Sequence, residues 1–325
     1  MKILVTGGAG YIGSHTVKVL LDNNYEVVVV DNLETGHIEA VDPRAKFYHG
    51  DIADEAIMDK VFKENAIAGV IHFAAYSLVE ESMKDPYKYY KNNIAKTNCL
   101  LNYMVKHNVL NLVFSSTAAT YGNPIRVPIE ETDLQIPTNV YGQTKLSMEQ
   151  MISWYGKIHN LKWVALRYFN VGGALFDGSI GEAHNPETHL IPIILQVANG
   201  KREKLSIYGD DYNTKDGTCV RDYIHILDLA EAHVLAMEYI LNGNESDVFN
   251  LGSGEGFTVY EMVEAARKVT KHPIPVEIAP RRVGDPEILI ASSSKARKIL
   301  KWTPTRENIE KIIADAWIWE QNKKF

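Results

Sequence analysis

The sequence predicts an α/β protein built on a doubly wound parallel sheet, followed by a smaller α/β region. Two observations predict this class. Short apolar runs rich in β-branched residues alternate with helix-length segments through the first half of the 325-residue chain, which is the pattern of parallel strands covered by helices on both faces. After Asn170 the alternation weakens, and a long stretch rich in glycine and polar residues follows. We therefore expect the main sheet in the N-terminal half and a ligand-binding loop after it.

Seven segments are predicted strands, and five amphipathic segments are predicted helices. The predicted loop spans residues 171–189. In chain order, the strands are 2–8, 25–32, 46–52, 68–75, 111–117, 162–170 and 247–254, and the helices are 13–24, 54–66, 189–201, 226–243 and 258–270.

The composition is that of a globular protein, with 46% hydrophobic and 23% charged residues. Its formal net charge of −7 argues against nucleic acid or an anionic membrane as the main partner, since both require a basic surface. The chain contains no uninterrupted apolar run of membrane-spanning length. Its two cysteines, Cys99 and Cys219, are too few for a disulfide framework, so we expect a cytoplasmic protein.

A glycine-rich turn, VTGGAGYIGSH, joins the first predicted strand to the first predicted helix and contains Gly7, Gly10 and Gly13. Glycine permits a tight turn and lets the backbone approach a pyrophosphate, whose charge then meets the helix N-terminus. Asp31 ends the second strand, at the separation expected for the acid that binds an adenosine ribose. Its carboxylate would accept a hydrogen bond from a free 2′-hydroxyl and repel a 2′-phosphate. The sequence therefore predicts a Rossmann-type site for NAD rather than NADP.

Gly50, Asp51 and Ile52 follow the third predicted strand. The carboxylate of Asp51 would either lie beside the adenine amino group or cap the next helix, since Asp54 and Glu55 follow closely. The residues alone leave both interpretations open.

Tyr141 and Lys145 are four residues apart in a segment that is typical of a helix, so their side chains share one face. A free phenol has a pKa of ~10, and a nearby ammonium group favours the phenolate. This pair could therefore act as a base, although a solvated helix face would show the same spacing. A hydroxyl cluster ending in Thr117 lies at the carboxyl end of a predicted strand, where parallel sheets bind ligands.

The TGGAGYIG turn, the strand-end FSSTAATYG and the helical YGQTK resemble, in this order, the extended short-chain dehydrogenase/reductase family. Within that family, further blocks are similar to the UDP-sugar 4-epimerases, and the resemblance runs from residue 4 to about residue 286. These blocks are VIHFAA, YYKNN, LRYFN, GDDYNTKDGTCVRDYIHILDLAEAH, NLGSGEGFTV and APRRVGDP.

The resemblance implies that a tightly held NAD is reduced and reoxidised within each turnover, so that UDP-galactose and UDP-glucose interconvert. Tyr141 would remove the proton of the sugar 4-hydroxyl, and Lys145 would lower the tyrosine pKa and bind the nicotinamide ribose. Thr117 would hold the 4-oxygen. Family members often have serine there, and threonine keeps the hydroxyl while adding a methyl group.

The resemblance also assigns binding positions residue by residue. The positions that match cofactor contacts, besides Gly7, Gly10 and Gly13, are Tyr11, Ile12, Asp31, Asn32, Asp51, Ile52, Phe73, Asn92, Tyr141, Lys145 and Phe169. The positions that match UDP-sugar contacts are Thr117, Asn170, His189, Leu190, Tyr208, Arg221, Arg282, Asp285 and Leu289.

Three of the matched UDP-sugar positions are two arginines and a histidine. An acidic protein that binds a diphosphate needs local arginines, and Arg221 and Arg282 would supply them, although surface ion pairs would explain them equally well. His189 stands where many relatives have asparagine, which changes the type of contact on the nucleotide side.

Leu289 is similar in position to the residue that borders the sugar 2-substituent in these epimerases. A bulky aromatic residue there tends to exclude N-acetylhexosamines. Leucine leaves room for them, and we therefore expect that UDP-N-acetylglucosamine is a further substrate.

The sequence also bears on four other functions. Dehydratases of the same fold place an acidic pair after the strand-end hydroxyl, where this chain has Ala118 and Ala119, so an acid for elimination is lacking. A decarboxylase or an epimerase of UDP-glucuronate fits the same motifs. A catalytically silent NAD sensor would not need the Tyr141–Lys145 pair. A metal hydrolase is disfavoured because the eleven histidines form no HExxH or comparable motif, and we expect no metal site.

We expect residues 1–171, together with about 222–255, to form the NAD-binding domain. Residues 172–221 and 256–325 would form the UDP-sugar-binding domain. The resemblance alone implies a homodimer through helices around residues 90–107 and 147–159.

Overall fold

A seven-stranded parallel sheet forms the centre of the protein in a computed structural model that describes residues 1–282 and 286–325. Its strand order is β10-β6-β5-β4-β1-β2-β3, and every neighbouring pair is parallel. Because β1 lies inside the sheet with later strands on both sides, the topology is doubly wound. The strands are β1 (Lys2–Thr6), β2 (Glu26–Asp31), β3 (Lys46–His49), β4 (Ile67–His72), β5 (Asn111–Ser115), β6 (Lys162–Tyr168), β7 (Asn170–Gly172), β8 (Leu205–Tyr208), β9 (Val220–His225), β10 (Asp247–Leu251), β11 (Gly256–Thr258), β12 (Val276–Ala279) and β13 (Ile288–Leu289).

The helices cover both faces of this sheet and support the smaller C-terminal region. They are α1 (Tyr11–Asp22), α2 (Glu55–Glu64), α3 (Val79–Lys84), α4 (Pro86–Tyr89), α5 (Lys96–Lys106), α6 (Val140–His159), α7 (Leu190–Ala198), α8 (Ile226–Leu241), α9 (Val259–Thr270), α10 (Ser294–Ile299) and α11 (Ile309–Asn322).

The inner strands of the main sheet are buried on both faces, because alternate residues of each strand pack into different cores, whereas the edge strand β3 has no buried residue. Val5 and Val29 pack with α1 and α8 in one core, whereas Leu4 and Val28 pack with α2, α5 and α6 in the other. Burial on both sides explains why these strands appear in the sequence as continuous apolar runs. The predicted α/β class with a doubly wound parallel sheet is confirmed.

Two small sheets lie after the main one. The first contains β11, β9 and β13, with β7 paired to β9, and the second joins β8 to β12. A third core, formed with α7, α9 and α11, supports them. Strand β10 returns to the edge of the main sheet beside β6. Among the described residues, no helix is both long and apolar enough to cross a membrane.

Candidate active site

The glycine turn after β1 is too tightly packed for side chains at two positions. Gly7 has a φ of +73°, and a Cβ there would lie 2.7 Å from the backbone nitrogen of Ala74. A Cβ on Gly13 would lie 2.1 Å from the carbonyl oxygen of Gly7. At Gly10, by contrast, the only nearby atom is that same oxygen, at 3.4 Å. The open side of the turn is therefore bare backbone that a ligand can approach closely.

The N-terminus of α1 begins in this turn and is suited to an anion. Its N-cap, Gly10, supplies no side-chain hydrogen bond, and the first helical turn contains no acidic residue. The first backbone N–H groups of a helix lack partners within it, and the helix dipole adds positive potential there. This combination of bare backbone and unneutralised N–H groups fits the pyrophosphate of a dinucleotide.

Asp31 ends β2 beside this turn and is itself held by backbone groups. Its two carboxylate oxygens accept hydrogen bonds from the backbone nitrogens of Ala9, at 2.9 Å, and Leu33, at 2.8 Å. Each carboxylate oxygen can accept a second hydrogen bond. The carboxylate is thus oriented by the turn and keeps capacity for ribose hydroxyls, so the residues present fit NAD.

Asp51 is not a helix cap. The N-cap of α2 is Asp54, whose carboxylate accepts hydrogen bonds from the backbone nitrogens of Ala56 and Ile57. Asp51 instead pairs with Lys96 at 2.5 Å, and the amide of Asn32 lies 3.4 Å from the same carboxylate oxygen. The capping interpretation is therefore wrong, because the loop after β3 places Asp51 beside Asn32, at the carboxyl end of β2.

Tyr141 and Lys145 lie on the same buried face of α6, and Thr117 meets them from the end of β5. Asn139 caps the helix by accepting a hydrogen bond from the backbone nitrogen of Gly142 at 2.8 Å. The ammonium group of Lys145 donates to the carbonyl of Ser115 at 2.9 Å, and the hydroxyl of Thr117 is near enough to the phenol of Tyr141 to favour its ionised form. The structure thus brings together the three predicted catalytic residues.

Burial dominates the titration of this pair. It raises the pKa of Tyr141 to about 12, against the smaller lowering effect of the nearby Thr117 hydroxyl. It lowers the pKa of Lys145 to about 7, although the charge of Glu149 opposes this change. Desolvation disfavours the charged form of each group. The protein's own groups therefore do not lower the tyrosine pKa as the sequence predicts, and an added positive charge is required for that.

A buried polar network beneath the pair was not anticipated from the sequence. The guanidinium group of Arg167 donates to both oxygens of Glu149, at 3.0 and 2.6 Å. Ser116 donates to the same carboxylate at 2.5 Å, and Arg167 also donates to the phenol of Tyr121 at 2.8 Å. Since Glu149 lies one helical turn after Lys145, this network fixes α6 against the ends of β5 and β6.

Asn93 also positions α6, and the sequence analysis missed it. It lies in a π-helical turn, Tyr90–Ala95, and such turns are frequent at functional sites. Its side chain exchanges hydrogen bonds with the backbone of Tyr76, at 2.9 and 3.0 Å, and donates to Thr144 of α6 at 3.1 Å. Asn93 thereby joins the loop after β4 to the helix that carries the catalytic pair. The predicted contact, Asn92, donates to Asn93 at 3.2 Å.

The predicted sugar side is built on the small sheet. Leu289 of β13 pairs in register with Arg221 of β9, and it packs in a cluster with Ala118 and Phe169. Asn170 of β7 pairs in register with Tyr223 of β9. Leu289 is therefore close to the turn that follows Thr117, which supports its expected position beside the sugar.

A buried carboxylate fixes the backbone on the other face of β9. Asp222 accepts hydrogen bonds from the backbone nitrogens of Ser253, Gly254 and Ala291, at 2.8, 3.2 and 3.0 Å. A Cβ on Gly252 would lie 2.4 Å from this carboxylate. Asp222 thereby holds β9, which carries Arg221, against the segment after β13. The sequence analysis did not single out Asp222.

Arg282 stacks on Tyr208, with its guanidinium carbon 3.9 Å from the ring centroid. Both side chains are exposed, Tyr208 to 38%. Leu190 is the first residue of α7. Asp285 lies outside the described residues.

The other predicted cofactor positions surround the glycine turn and the strand ends. Phe73 directly follows β4 and contacts the ring of His233 at 4.7 Å, whereas Phe169 follows β6. Ile52 is buried after β3, and Tyr11 and Ile12 begin α1.

Two histidines, His72 and His189, lie in different surroundings. His72 is a satisfied core residue, with hydrogen bonds to the hydroxyls of Thr6 at 2.7 Å and Thr97 at 2.9 Å, and burial lowers its pKa to about 3. His189 lies 2.9 Å from the carboxylates of both Glu182 and Glu187. Its Nδ1 therefore faces these acids, and its contact with a nucleotide stays a prediction.

Known proteins resemble this chain in both sequence and structure. A model described as the NAD dependent epimerase/dehydratase family matches residues 3–252. A UDP-glucose 4-epimerase of Lacticaseibacillus casei is 59% identical over 99% of this chain and 97% of its own. A crystal structure of a UDP-glucose 4-epimerase has a TM-score of 0.97 at 54% identity, covering 99% of this chain and 98% of that one.

A UDP-glucose 4-epimerase from Bifidobacterium longum, in complex with NAD+ and UDP, has a TM-score of 0.94 at 41% identity over 99% of both chains. The family model covers the whole main sheet, and the relatives cover nearly the full length. The chain belongs to the NAD dependent epimerase/dehydratase family.

Proposed function

We propose that this protein is an NAD-dependent isomerase that interconverts UDP-galactose and UDP-glucose by transient oxidation at carbon 4 of the sugar. The observation that carries the proposal is the grouping of partly buried Tyr141 with buried Thr117 and Lys145 at the carboxyl end of β5, on the sheet whose first turn fits a dinucleotide. Relatives named UDP-glucose 4-epimerase at up to 59% identity support the substrate assignment.

Tyr141 acts as the proton acceptor. Its Oη takes the proton of the sugar 4-hydroxyl, and the hydroxyl of Thr117 orients the 4-oxygen. The glycine turn, Asp31 and Lys145 would hold NAD, which would supply an acceptor and donor of hydride for carbon 4 and, in its oxidised form, the positive charge that the protein's own groups lack. Because burial raises the pKa of Tyr141 to about 12, the phenol becomes an effective base only beside that charge.

The 4-keto sugar then turns over within the site and presents its other face. Tyr141 returns its proton to the 4-oxygen, so that only the configuration at carbon 4 has changed. Lys145 holds the nicotinamide ribose and stabilises the phenolate while the proton is away. Arg221 and Arg282 hold the diphosphate throughout the turn, because charge-assisted hydrogen bonds to phosphate are strong.

Ala118 and Ala119 support epimerisation over dehydration. They begin the short 3₁₀ helix Ala118–Thr120, whose N-cap is Thr117. A dehydratase needs an acid near this point to protonate the leaving hydroxyl, and two methyl groups cannot do so. An epimerase or decarboxylase that acts on UDP-glucuronate remains the alternative substrate class, and a catalytically silent NAD sensor is the alternative outside enzymes.

In this proposal, the two regions of the chain bind different ligands. Residues 1–171 with about 222–255 hold NAD, and residues 172–221 with 256–325 hold the UDP-sugar. The return of β10 to the main sheet supports the first part of this division.

A cytoplasmic homodimer is the proposed working state. Trp154 and Ile158 of α6 are 61% and 66% exposed, which supports an interface on that helix. Cys99 and Cys219 are not joined in a disulfide in the described chain, as befits a reducing compartment.

UDP-N-acetylglucosamine is a proposed further substrate. Leu289 is half-buried in the cluster that contains Ala118 and Phe169, and it leaves more room than an aromatic side chain would. The purified protein should convert UDP-N-acetylglucosamine as well as UDP-galactose. No conversion under conditions that consume UDP-galactose would contradict this extension and leave the main proposal intact.

Incubation with UDP-galactose and no added NAD tests the main proposal. We expect a mixture with UDP-glucose by chromatography and no net reduced cofactor by absorbance. The control is the same incubation with UDP-glucuronate, which should remain unchanged. Unaltered UDP-galactose even after NAD is supplied would overturn the substrate assignment, and conversion of UDP-glucuronate alone would favour the alternative substrate class.

A further inference from the structure

A cluster of two glutamates and two histidines lies in the loop between β7 and α7. Its members are Glu182, His184, Glu187 and His189, and one ligand atom of each lies within 4.8 Å of every other. The spacing EAHNPETH matches no common metal motif, so the sequence analysis missed it and expected no metal site.

The polar atoms of the cluster lie close together. His184 Nδ1 lies 3.1 Å from Glu182 Oε1 and 3.6 Å from Glu187 Oε2. His189 Nδ1 lies 2.9 Å from Glu182 Oε1 and forms a hydrogen bond of the same length with Glu187 Oε1. A tetrahedral zinc site with bonds of about 2.1 Å has ligand–ligand edges of roughly 3.4 Å. Four ligand atoms that lie within 4.8 Å of one another can therefore surround a zinc-sized ion once they shift toward these edge lengths.

Two of these atoms are buried without a hydrogen bond. His184 Nδ1 and Glu187 Oε2 are both inaccessible to solvent and lack a hydrogen-bond partner, because the 3.1 Å approach of His184 to Glu182 lacks hydrogen-bond geometry. The other oxygen of Glu187 accepts from the backbone nitrogens of Thr188 and His189, each at 2.8 Å. That arrangement points Glu187 Oε2 at the centre of the cluster, and an unsatisfied buried carboxylate oxygen is costly.

The loop that carries the cluster is anchored on both sides. The indole nitrogen of Trp319 donates to the carbonyl of Glu182 at 2.8 Å, and His37 Nε2 lies 2.9 Å from the carbonyl of Ala183. A Cβ on Gly181 would lie 2.2 Å from Trp319. The ligands are thus held by the surrounding fold rather than displayed on a loose segment, as a preorganised site requires.

The charges also favour a cation. The side chains of Glu182 and Glu187 are only 7% and 4% exposed. In the described part of the chain their ion pairs are with the two histidines alone. Two buried carboxylates require compensation, and a divalent ion with two neutral imidazoles would supply it.

We propose that Glu182, His184, Glu187 and His189 bind one divalent transition-metal ion, with Zn²⁺ as the best-matched ion. Imidazole and carboxylate ligands in tetrahedral geometry suit Zn²⁺. All four positions are occupied by protein, so the site is structural and does not take part in the sugar chemistry. It stabilises the loop that leads into α7, whose first residue, Leu190, is expected at the nucleotide.

The competing arrangement contains no metal and two imidazolium groups. Burial alone would lower the pKa of His184 and His189, but the adjacent carboxylates of Glu182 and Glu187 raise them to about 9 and about 10. Both histidines could then neutralise the acids as cations. Metal binding must displace these protons, so the two arrangements are distinguishable in solution.

Metal content and thermal stability of the full-length protein test the proposal. The protein is dialysed against a chelator, divided, and equilibrated with or without Zn²⁺ at pH 8. We expect about one Zn²⁺ per chain, a higher Tm with Zn²⁺, and the visible d–d bands of tetrahedral Co²⁺ when cobalt replaces zinc. Substoichiometric metal with an unchanged Tm would overturn the proposal in favour of paired imidazolium groups.

Glu187→Gln provides the matched variant, because it keeps the shape of the side chain and removes its charge. Changes in residues that only hydrogen-bond the ligands of a metal already weaken its binding about 10–100-fold, and loss of a ligand should weaken Zn²⁺ binding by at least ~100-fold. Glu203→Gln, at an exposed position, should retain wild-type zinc affinity. Equal zinc affinity in both variants would contradict the assignment. The metal content and Tm of the wild-type protein depend neither on the folding of a variant nor on turnover. A negative result for the metal site is therefore distinguishable from a failure of the proposed function.

Discussion

The cofactor side and the sugar side of the candidate site are held in different ways. On the cofactor side, Asp31 and Lys145 are buried and bound to backbone groups at 2.8–2.9 Å. On the sugar side, Tyr208 and Arg282 are exposed and stack on each other. The fold of the main sheet fixes the side chains of the cofactor side, whereas the sugar side depends on long side chains from short strands and loops.

This difference separates chemistry from substrate capture. Changes on the buried side should alter turnover or its pH dependence, while changes on the exposed side should alter the concentration of substrate needed. Variants on the cofactor side and on the sugar side therefore test this separation.

Tyr141→Phe should give the largest effect. Loss of the proton acceptor should lower kcat by about 10³-fold or more, within the upper range for general acid–base catalysis, with NAD retained because the glycine turn is untouched. Tyr155→Phe is the control on the same helix, since its hydroxyl donates to exposed Asn98 at 2.9 Å. Turnover and bound NAD are measured on both. Substantial activity in Tyr141→Phe would remove the tyrosine from the mechanism.

Lys145→Met should change the pH profile. In the wild type the pair loses its first proton near pH 7, the pKa of Lys145, and Tyr141 titrates only near 12. The positive charge of bound oxidised NAD would favour the phenolate, so that between these values the one remaining proton of the pair can reside on lysine while tyrosine is the phenolate. Wild-type kcat should therefore rise with pH up to about 7 and then level off.

Without the lysine, only the phenol titrates. The kcat of Lys145→Met should be about 10²-fold lower at pH 7 and should rise by up to tenfold per pH unit through pH 9, with no plateau. Rate profiles from pH 5 to 9.5 provide the measurement. Parallel profiles for the two proteins would contradict a shared proton.

Arg282→Leu should affect the exposed side alone. Removing a charge-assisted hydrogen bond to the diphosphate should raise KM about 10–100-fold, with kcat changed less and NAD retained. Arg281→Leu is the adjacent control, because Arg281 pairs with Asp211 at 2.5 Å on the surface. Equal KM values for the two variants would place the diphosphate elsewhere.

Leu289→Tyr should give the smallest and most selective effect. A larger ring beside Ala118 and Phe169 should reduce turnover of UDP-N-acetylglucosamine about tenfold more than turnover of UDP-galactose, because it clashes only with the larger 2-substituent. Competing-substrate assays measure this ratio. An unchanged ratio would move the 2-substituent away from Leu289.

Much of the main sheet was predictable because its inner strands are buried on both faces and therefore appear as continuous apolar runs. The glycine turn was predictable for a related reason, since Gly7 and Gly13 meet backbone atoms that exclude any side chain. Local spacing was also sufficient to bring Tyr141 and Lys145 onto one face of α6.

The residues that sequence analysis missed depend on distant contacts. Asn93 connects the loop after β4 to α6, and Asp222 binds nitrogens at Ser253 and Ala291. The cluster that includes Glu187 forms because Trp319 anchors its loop from the C-terminal helix. No local spacing encodes such contacts, so they become visible only when the chain is folded.

Transient oxidation at carbon 4 is the central claim, and UDP-galactose deuterated at that carbon tests it most directly. The protein is incubated with this substrate in ordinary water, without added NAD, and the product is analysed by NMR and mass spectrometry. Our account predicts UDP-glucose that retains the deuterium at carbon 4, because hydrogen leaves and returns within one site. Product that carries solvent hydrogen at carbon 4 would contradict it, since that outcome requires removal of a proton rather than oxidation.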